Sequence, residues 1–320
     1  MNISELKNNM GVHSVLCNVE VKEGITQTKK PYLRIIFSDS SQKQASINVW
    51  DDNPKYEEYK KMDGSLALAS LEFAKVNSKG YEEYVLHDIE LKERPSLINC
   101  VDIPALTNEL TLIFKDHVHD VALKNILYNL WNDDCLKKKL LNAPASEKTG
   151  YSFKGGLLAR IVRMCKLAIA VSDVYNSWNF NKGGFVANVN KELLIICCVM
   201  SEIGKIDALE FDGEEVKKTF KGELLGDAVC GNDIVNKLME NTELVEEQRI
   251  FIQHCVISSK GKPTYGALVV PRTKEANVFH NISRLDAVMG NFEFMDRTNL
   301  GGDFMRLFDK QYCLVSYDEI

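Results

Sequence analysis

The sequence predicts an α+β protein in which a small five-stranded β-barrel precedes an all-helical domain. Two observations carry this reading. Period-two alternation of apolar and polar residues is confined to the first 95 residues, and helical periodicity replaces it beyond Pro95. At 320 residues the chain is long enough for two domains with ordinary cores. With 45% apolar and 26% charged residues its composition is that of a globular protein.

The strands are predicted over residues 13–22, 31–38, 44–50, 66–75 and 81–91. In the second, Leu33, Ile35 and Phe37 alternate with Tyr32, Arg34 and Ile36; in the third, Ile47 and Val49 alternate with Ser46, Asn48 and Trp50. Asp39-Ser40-Ser41 and Asn77-Ser78-Lys79-Gly80 carry turn residues. The polar segment 51–63 reads as a helix after the third strand. Five strands with a short helix in that place is the order of an OB-fold, and domain one is assigned to residues 1–95.

OB-folds bind single strands by stacking bases on aromatic side chains over a basic groove. The candidates are Tyr32, Arg34, Trp50, Lys75, Lys79, Tyr81 and Tyr84. Against this, Trp50 can simply close a strand on the 51–63 helix, and the tyrosines can be packing residues. Residues 1–95 hold 13 Lys and Arg against 15 Asp and Glu, a net of −2, so this domain is not basic as a whole. Docking of a protein is the competing role.

Helices are predicted over 103–118, 119–142, 155–176, 188–203, 221–242, 244–259 and 272–295, with Pro144 separating the first pair from the rest. This gives a helical connector, 96–150, and a second domain, 151–320.

The segments KPYLRIIFSDSSQKQASINVWD, YSFKGGLLARIVRM, SEIGK, GELLGD, IQHCVISSKGK and VFHNISRLDAVM follow one another with suitable gaps, and MDRT lies beyond them. In that order they resemble the YhaM-type 3′-to-5′ exoribonucleases, which join an OB-fold to an HD-type helical domain. The likeness runs over nearly the whole chain. HD chemistry uses His and Asp residues to hold divalent metals that activate water and clamp a phosphate. The resemblance places the first ligand His at Arg160, the His-Asp pair at Ser201-Glu202, the next His at Asp227, a His-His pair at Ser259-Lys260 and the first late Asp at Ser283. Ile203, Gly204, Lys205 and Asp286 keep the pattern. Arg160 cannot lose its proton, and a cation in a metal's first shell repels the metal. Of the pattern positions only Glu202 and Asp227 retain ligand chemistry. Their pairing with Arg160 and Lys260 in salt bridges is one expectation; an open cluster of Arg160, Lys205 and Lys260 holding a phosphate is the other.

The remaining features are bland. Nine cysteines show no CxxC pair, and Cys197-Cys198 lies in an apolar run, as buried thiols do. Asp116-His117-Val118-His119-Asp120 has metal-ligand residue types, but His residues two apart on a helix point to different sides. His254 and His280 are flanked by apolar residues and are expected to pack. Gly155-Gly156 and Gly301-Gly302 read as caps or turns, and the tail CLVSYDEI as a docking peptide or a frayed end. The first residues lack the apolar stretch of a signal peptide, and no window nears the roughly 20 apolar residues of a membrane span. A soluble, cytoplasmic protein is expected, with no membrane partner.

The resulting functional expectation is a catalytically inactive relative of HD-domain exoribonucleases, without metal or cofactor. It would bind single-stranded RNA or DNA, or a protein partner or second copy. The alternatives are an active metal-dependent 3′-to-5′ exonuclease or phosphodiesterase, and a structural subunit of a larger assembly.

Overall fold

A computed structural model of the chain describes residues 3–7, 10–39, 43–78, 80, 82–92, 100–177, 188–213, 215–298, 304–307 and 310–314. The architecture is mixed: a five-stranded antiparallel sheet comes first and helices follow. Two compact units result, one of Met1–Pro95 with Met295–Ile320 and one of Ser96–Phe294. The segment from Met295 onward, read from sequence as part of the helical domain, therefore groups with the sheet.

The first unit contains β1 (His13–Ile25), β2 (Pro31–Ser38), β3 (Gln44–Trp50), β4 (Leu66–Val76) and β5 (Glu82–Lys92). They are hydrogen-bonded in the order β3-β2-β1-β4-β5. β1 is long because it serves two partners: Asn18–Ile25 pairs with β2 and His13–Asn18 with β4. Alternation works as expected on β2, where Leu33, Ile35 and Phe37 are buried and Arg34 is exposed. Ile36 departs from it and is buried too.

The expected closed barrel is not formed by backbone pairing. β3 and β5 remain the edges of the sheet and approach within 8 Å, Cα to Cα, without a ladder between them. Side chains meet there instead: Lys43, just before β3, and Glu82, at the start of β5, form an ion pair of 2.8 Å. Charged residues at a sheet edge are what keeps it from pairing further. The segment 51–63 is helical only over α1 (Tyr56–Lys60), where Tyr59 packs into the core together with Met62.

The second unit contains α2 (Ile103–His117), α3 (Val121–Asn132), α4 (Asp134–Asn142), α5 (Gly156–Ser177), α6 (Lys191–Met200), α7 (Lys205–Ala208), α8 (Phe220–Met239), α9 (Glu246–Ser258) and α10 (Lys274–Thr298) as far as Phe294. The predicted helix 119–142 is two helices. Asp133 ends the first, and its carboxylate accepts the Leu136 amide at 2.9 Å to cap the second. Residues 96–150 are not a separate connector: Leu110, Ile126, Leu130 and Leu140 share one apolar core with α5, α6, α8, α9 and α10. Cys197 and Cys198 are buried in that core as free thiols.

Two short hairpins were not anticipated. β6 (Leu209–Phe211) pairs with β7 (Val216–Lys218) across the Asp212-Gly213 turn, where Gly213 has φ of 110°. β8 (Phe304–Leu307) pairs with β9 (Lys310–Cys313). Among the described residues no helix is long and apolar enough to cross a membrane.

Candidate functional site

Six elements of the helical unit deliver charge to one buried place. Arg160 comes from α5, Glu202 from the turn after α6 and Lys205 from α7. Asp227 follows the kink in α8, Lys260 the end of α9, and Asp286 lies on α10. Two glycines make the convergence feasible. Gly226 takes φ of 71° and breaks the regular path of α8 immediately before Asp227. Gly204 lies so close to α8 that a Cβ there would sit 1.9 Å from the Asp227 carbonyl oxygen.

The guanidinium of Arg160 is fully used. Its Nε donates to Glu202 Oε2 at 3.0 Å, one terminal nitrogen to Asp286 Oδ2 at 2.7 Å and the other to Ser283 Oγ at 2.7 Å. Tyr151 donates its hydroxyl to the second Asp286 oxygen at 2.6 Å. Arg160 and Arg163 both stack near the Tyr151 ring, with guanidinium carbons 5.7 and 5.6 Å from its centroid. Lys205 Nζ then bridges Glu202 Oε2 at 2.7 Å and Asp227 Oδ2 at 3.2 Å. Lys260 Nζ closes the chain on the same Asp227 oxygen at 2.6 Å. Arg160, Lys205 and Lys260 thus face three carboxylates, and Arg163, itself paired with Glu293 at 2.9 Å, stands 3.9 Å from Asp286.

Exposure of Arg160, Glu202 and Lys205 is 7%, 4% and 7%, and Asp286 is fully enclosed, so solvent does not screen the inner pairs. Burial pushes the Glu202 carboxyl up, but Arg160, Lys205 and Lys260 together outweigh it and bring its pKa to about 2. Burial likewise opposes ionisation of Asp227, and Lys205 and Lys260 overcome it, holding that carboxyl below its ordinary value. Asp286 goes the other way, because burial outweighs Arg160 and the Tyr151 hydroxyl. Repulsion from Lys205, with burial, pulls Lys260 down.

These directions fix an acid dependence. Glu202 is acidified relative to its ordinary 4.5 and Asp227 relative to 3.8. The stability they contribute is therefore complete above those values. It is lost as pH falls toward about 2. Asp286, raised, opposes part of this. The urea midpoint should drop between pH 5 and pH 2.5, roughly, and Glu202→Gln should flatten the drop; an unchanged midpoint in the natural protein contradicts the assignment.

The structure thus favours pairing over an open phosphate cradle: Arg160, Lys205 and Lys260 all have carboxylate partners. Ser201 contributes a buried hydroxyl without a hydrogen-bond partner, and the backbone carbonyl of Ser259 lies 3.1 Å from His280 Nδ1. The metals that the HD resemblance implies do not fit this donor set, because each carboxylate is already held by a protonated side chain. Among the described residues no group of three or more His, Cys, Asp or Glu is arranged to hold a metal ion. Asp116–Asp120 is a helix junction, where the His119 and Asp120 amides donate to Glu192 and Asp120 caps α3. His254 accepts the Arg272 amide at 2.9 Å. Tyr151 was missed from sequence, since it belongs to no periodic element. Lys205, expected only as a pattern residue or a phosphate ligand, instead pairs with Glu202 three residues before it and with Asp227.

On the sheet, Tyr32 and Trp50 are cross-strand partners with ring centroids 5.5 Å apart. Tyr32 lies over Gly24 of β1, where a Cβ would come 2.5 Å from its ring. Lys30 Nζ sits 5.7 Å from the Trp50 centroid and pairs with Asp52 at 2.9 Å. Arg34, next along this face, contacts Ser46 Oγ at 3.3 Å. Lys75 is not part of the group: it lies toward the opposite end of β1, pairing with Glu83 at 3.5 Å. Tyr84 is a packing residue, buried edge-on against Phe73 and donating to Glu82. Lys79, Tyr81, Gly301-Gly302 and the tail from Val315 lie outside the described residues. No protein-family model matches the sequence, and no solved structure matches it significantly.

Proposed function

We propose that this chain is a relative of the OB-plus-HD 3′-to-5′ exoribonucleases that does not cut, and that its sheet is a binding module for single-stranded nucleic acid. The observation that supports the first half is the ion cluster. Arg160, Lys205 and Lys260 occupy the carboxylates that would otherwise attract metal, and a guanidinium cannot give up its charge to admit one. The resemblance supplies the family. The second half rests on Tyr32, Trp50 and Arg34 sharing one face of β2 and β3, the combination of stacking surface and charge that single strands use.

A protein-docking role for the same face is the second reading. It is favoured by the neutralisation of nearby lysines, Lys22 by Glu20 and Lys30 by Asp52. One gel separates these. With Mn²⁺ or Mg²⁺ present, single-stranded RNA and DNA should stay full length, and at low salt at least one should shift. Shortening from the 3′ end that Glu202→Ala abolishes overturns the non-cutting reading; absence of any shift transfers the sheet to protein docking.

A further inference from the structure

We propose that Lys30 is a phosphate-contacting residue of the sheet face, held in reserve by Asp52: on binding, its ammonium exchanges the Asp52 carboxylate for a phosphate of the strand. This inference rests on the reading that the sheet binds single-stranded nucleic acid.

The register of the sheet builds the site. Gly24, Tyr32 and Trp50 pair in one row across β1, β2 and β3, and Lys22, Arg34 and Asn48 in a neighbouring row of the same face. The rings therefore have positive charge on one side. Lys30, two residues before Tyr32, supplies it on the other. Four residues of extended chain span roughly 13 Å, so Lys30 and Arg34 bracket the rings. The turn joining β1 to β2 anchors the Lys30 backbone. The Thr26 amide donates to the Lys30 carbonyl and the Lys30 amide to Thr26 Oγ1, each at 2.9 Å, while Lys29 takes the left-handed conformation with φ of 59°. Only the side chain of Lys30 has to move.

The charges favour the exchange. Lys30 Nζ stands 5.7 Å from the Trp50 centroid, 2.9 Å from Asp52 and 3.8 Å from Asp51. An ammonium that close to the ring lies beside any nucleotide stacked on it. Lys30, Asp51 and Asp52 are all exposed, and an ion pair screened by water holds weakly. A phosphate of a nucleic-acid strand competes well for the same cation, because its neutralisation releases condensed counterions and that of a lone carboxylate does not. Asp52 thus masks the cation in the free protein and yields it to a strand.

The test measures binding of oligo(U) and oligo(dT) of about 16 nucleotides at several low salt concentrations. It compares the natural protein with Lys30→Ala, Asp52→Asn and the double variant. Lys30→Ala should weaken binding and reduce the slope of log affinity against log salt by roughly 0.7, one phosphate contact on a single strand. Asp52→Asn should strengthen binding roughly two- to five-fold, as expected when an exposed ion pair no longer competes. In the Lys30→Ala background the same change should have little effect, because Asp52 acts through the ammonium. An equal gain in both backgrounds would show that Asp52 repels the strand directly, and would overturn the inference. No gain from Asp52→Asn, or an unchanged slope in Lys30→Ala, overturns it too; in each of these cases the natural protein still binds and the single-strand reading stands. If neither oligonucleotide binds the natural protein or Asp52→Asn, that reading fails and this inference with it.

Discussion

Glu202→Ala should lower the stability of the protein by roughly 3–5 kcal/mol, the usual consequence of leaving a buried charge without its partner. Glu202 is 4% exposed and neutralises Arg160 at 3.0 Å and Lys205 at 2.7 Å. Its removal leaves Arg160 with Asp286 and Lys205 with Asp227, which Lys260 already occupies. A surface pair gives the scale for comparison. Lys217 with Glu215, at 2.6 Å but more than half exposed on both sides, should matter by at most about 1 kcal/mol. Arg160→Ala should be of similar size to Glu202→Ala. Because the two side chains act as one network, the double variant should lose much less than the two separate losses added together. Urea unfolding of the four proteins measures this. A loss below about 1 kcal/mol for Glu202→Ala would mean the cluster does not hold the helices.

Trp50→Ala should weaken binding of a single-stranded oligonucleotide about ten-fold or more, since stacking on an aromatic is worth about 1–3 kcal/mol per base. Trp50 is 40% exposed and tilted 51° to Tyr32, which itself covers Gly24. Together they offer ring surface rather than a charged patch. Arg34→Ala should leave most of the stacking and instead reduce the slope of log affinity against log salt by roughly one unit or slightly less. Titrations at two or three salt concentrations distinguish these signatures. Loss of affinity in neither variant would remove this face from the binding site.

The strands were legible in the sequence because a half-buried sheet imposes its period on the residues. Leu33, Ile35 and Phe37, two residues apart, mark the buried side of β2 in the sequence itself. The order of the sheet edges was not legible. Whether β3 and β5 join depends on strand curvature and on side chains such as Lys43 and Glu82, which no local pattern encodes. The start of α2 was legible because Asp102 caps it; Asn190 carries the same signal before α6, yet the predicted helix 188–203 begins ahead of it. Asp133 carries the same signal between Asn132 and Asp134, inside a stretch whose helical period continues on both sides.

For the ion cluster, the sequence determined the chemistry: a permanently charged arginine and two lysines, with acids at matching places in an ordered set of motifs. Only the tertiary structure decided who meets whom. Arg160 and Asp286 are 126 residues apart, and Tyr151 reaches Asp286 across 135. Such pairings arise from the packing of α5 against α6 and α10 around a shared core, where burial removes the solvent that would otherwise keep these charges apart. Residue types follow from local sequence, but the partner of a buried charge is set by the fold, because a charge far from water must find its compensation wherever the packing brings it.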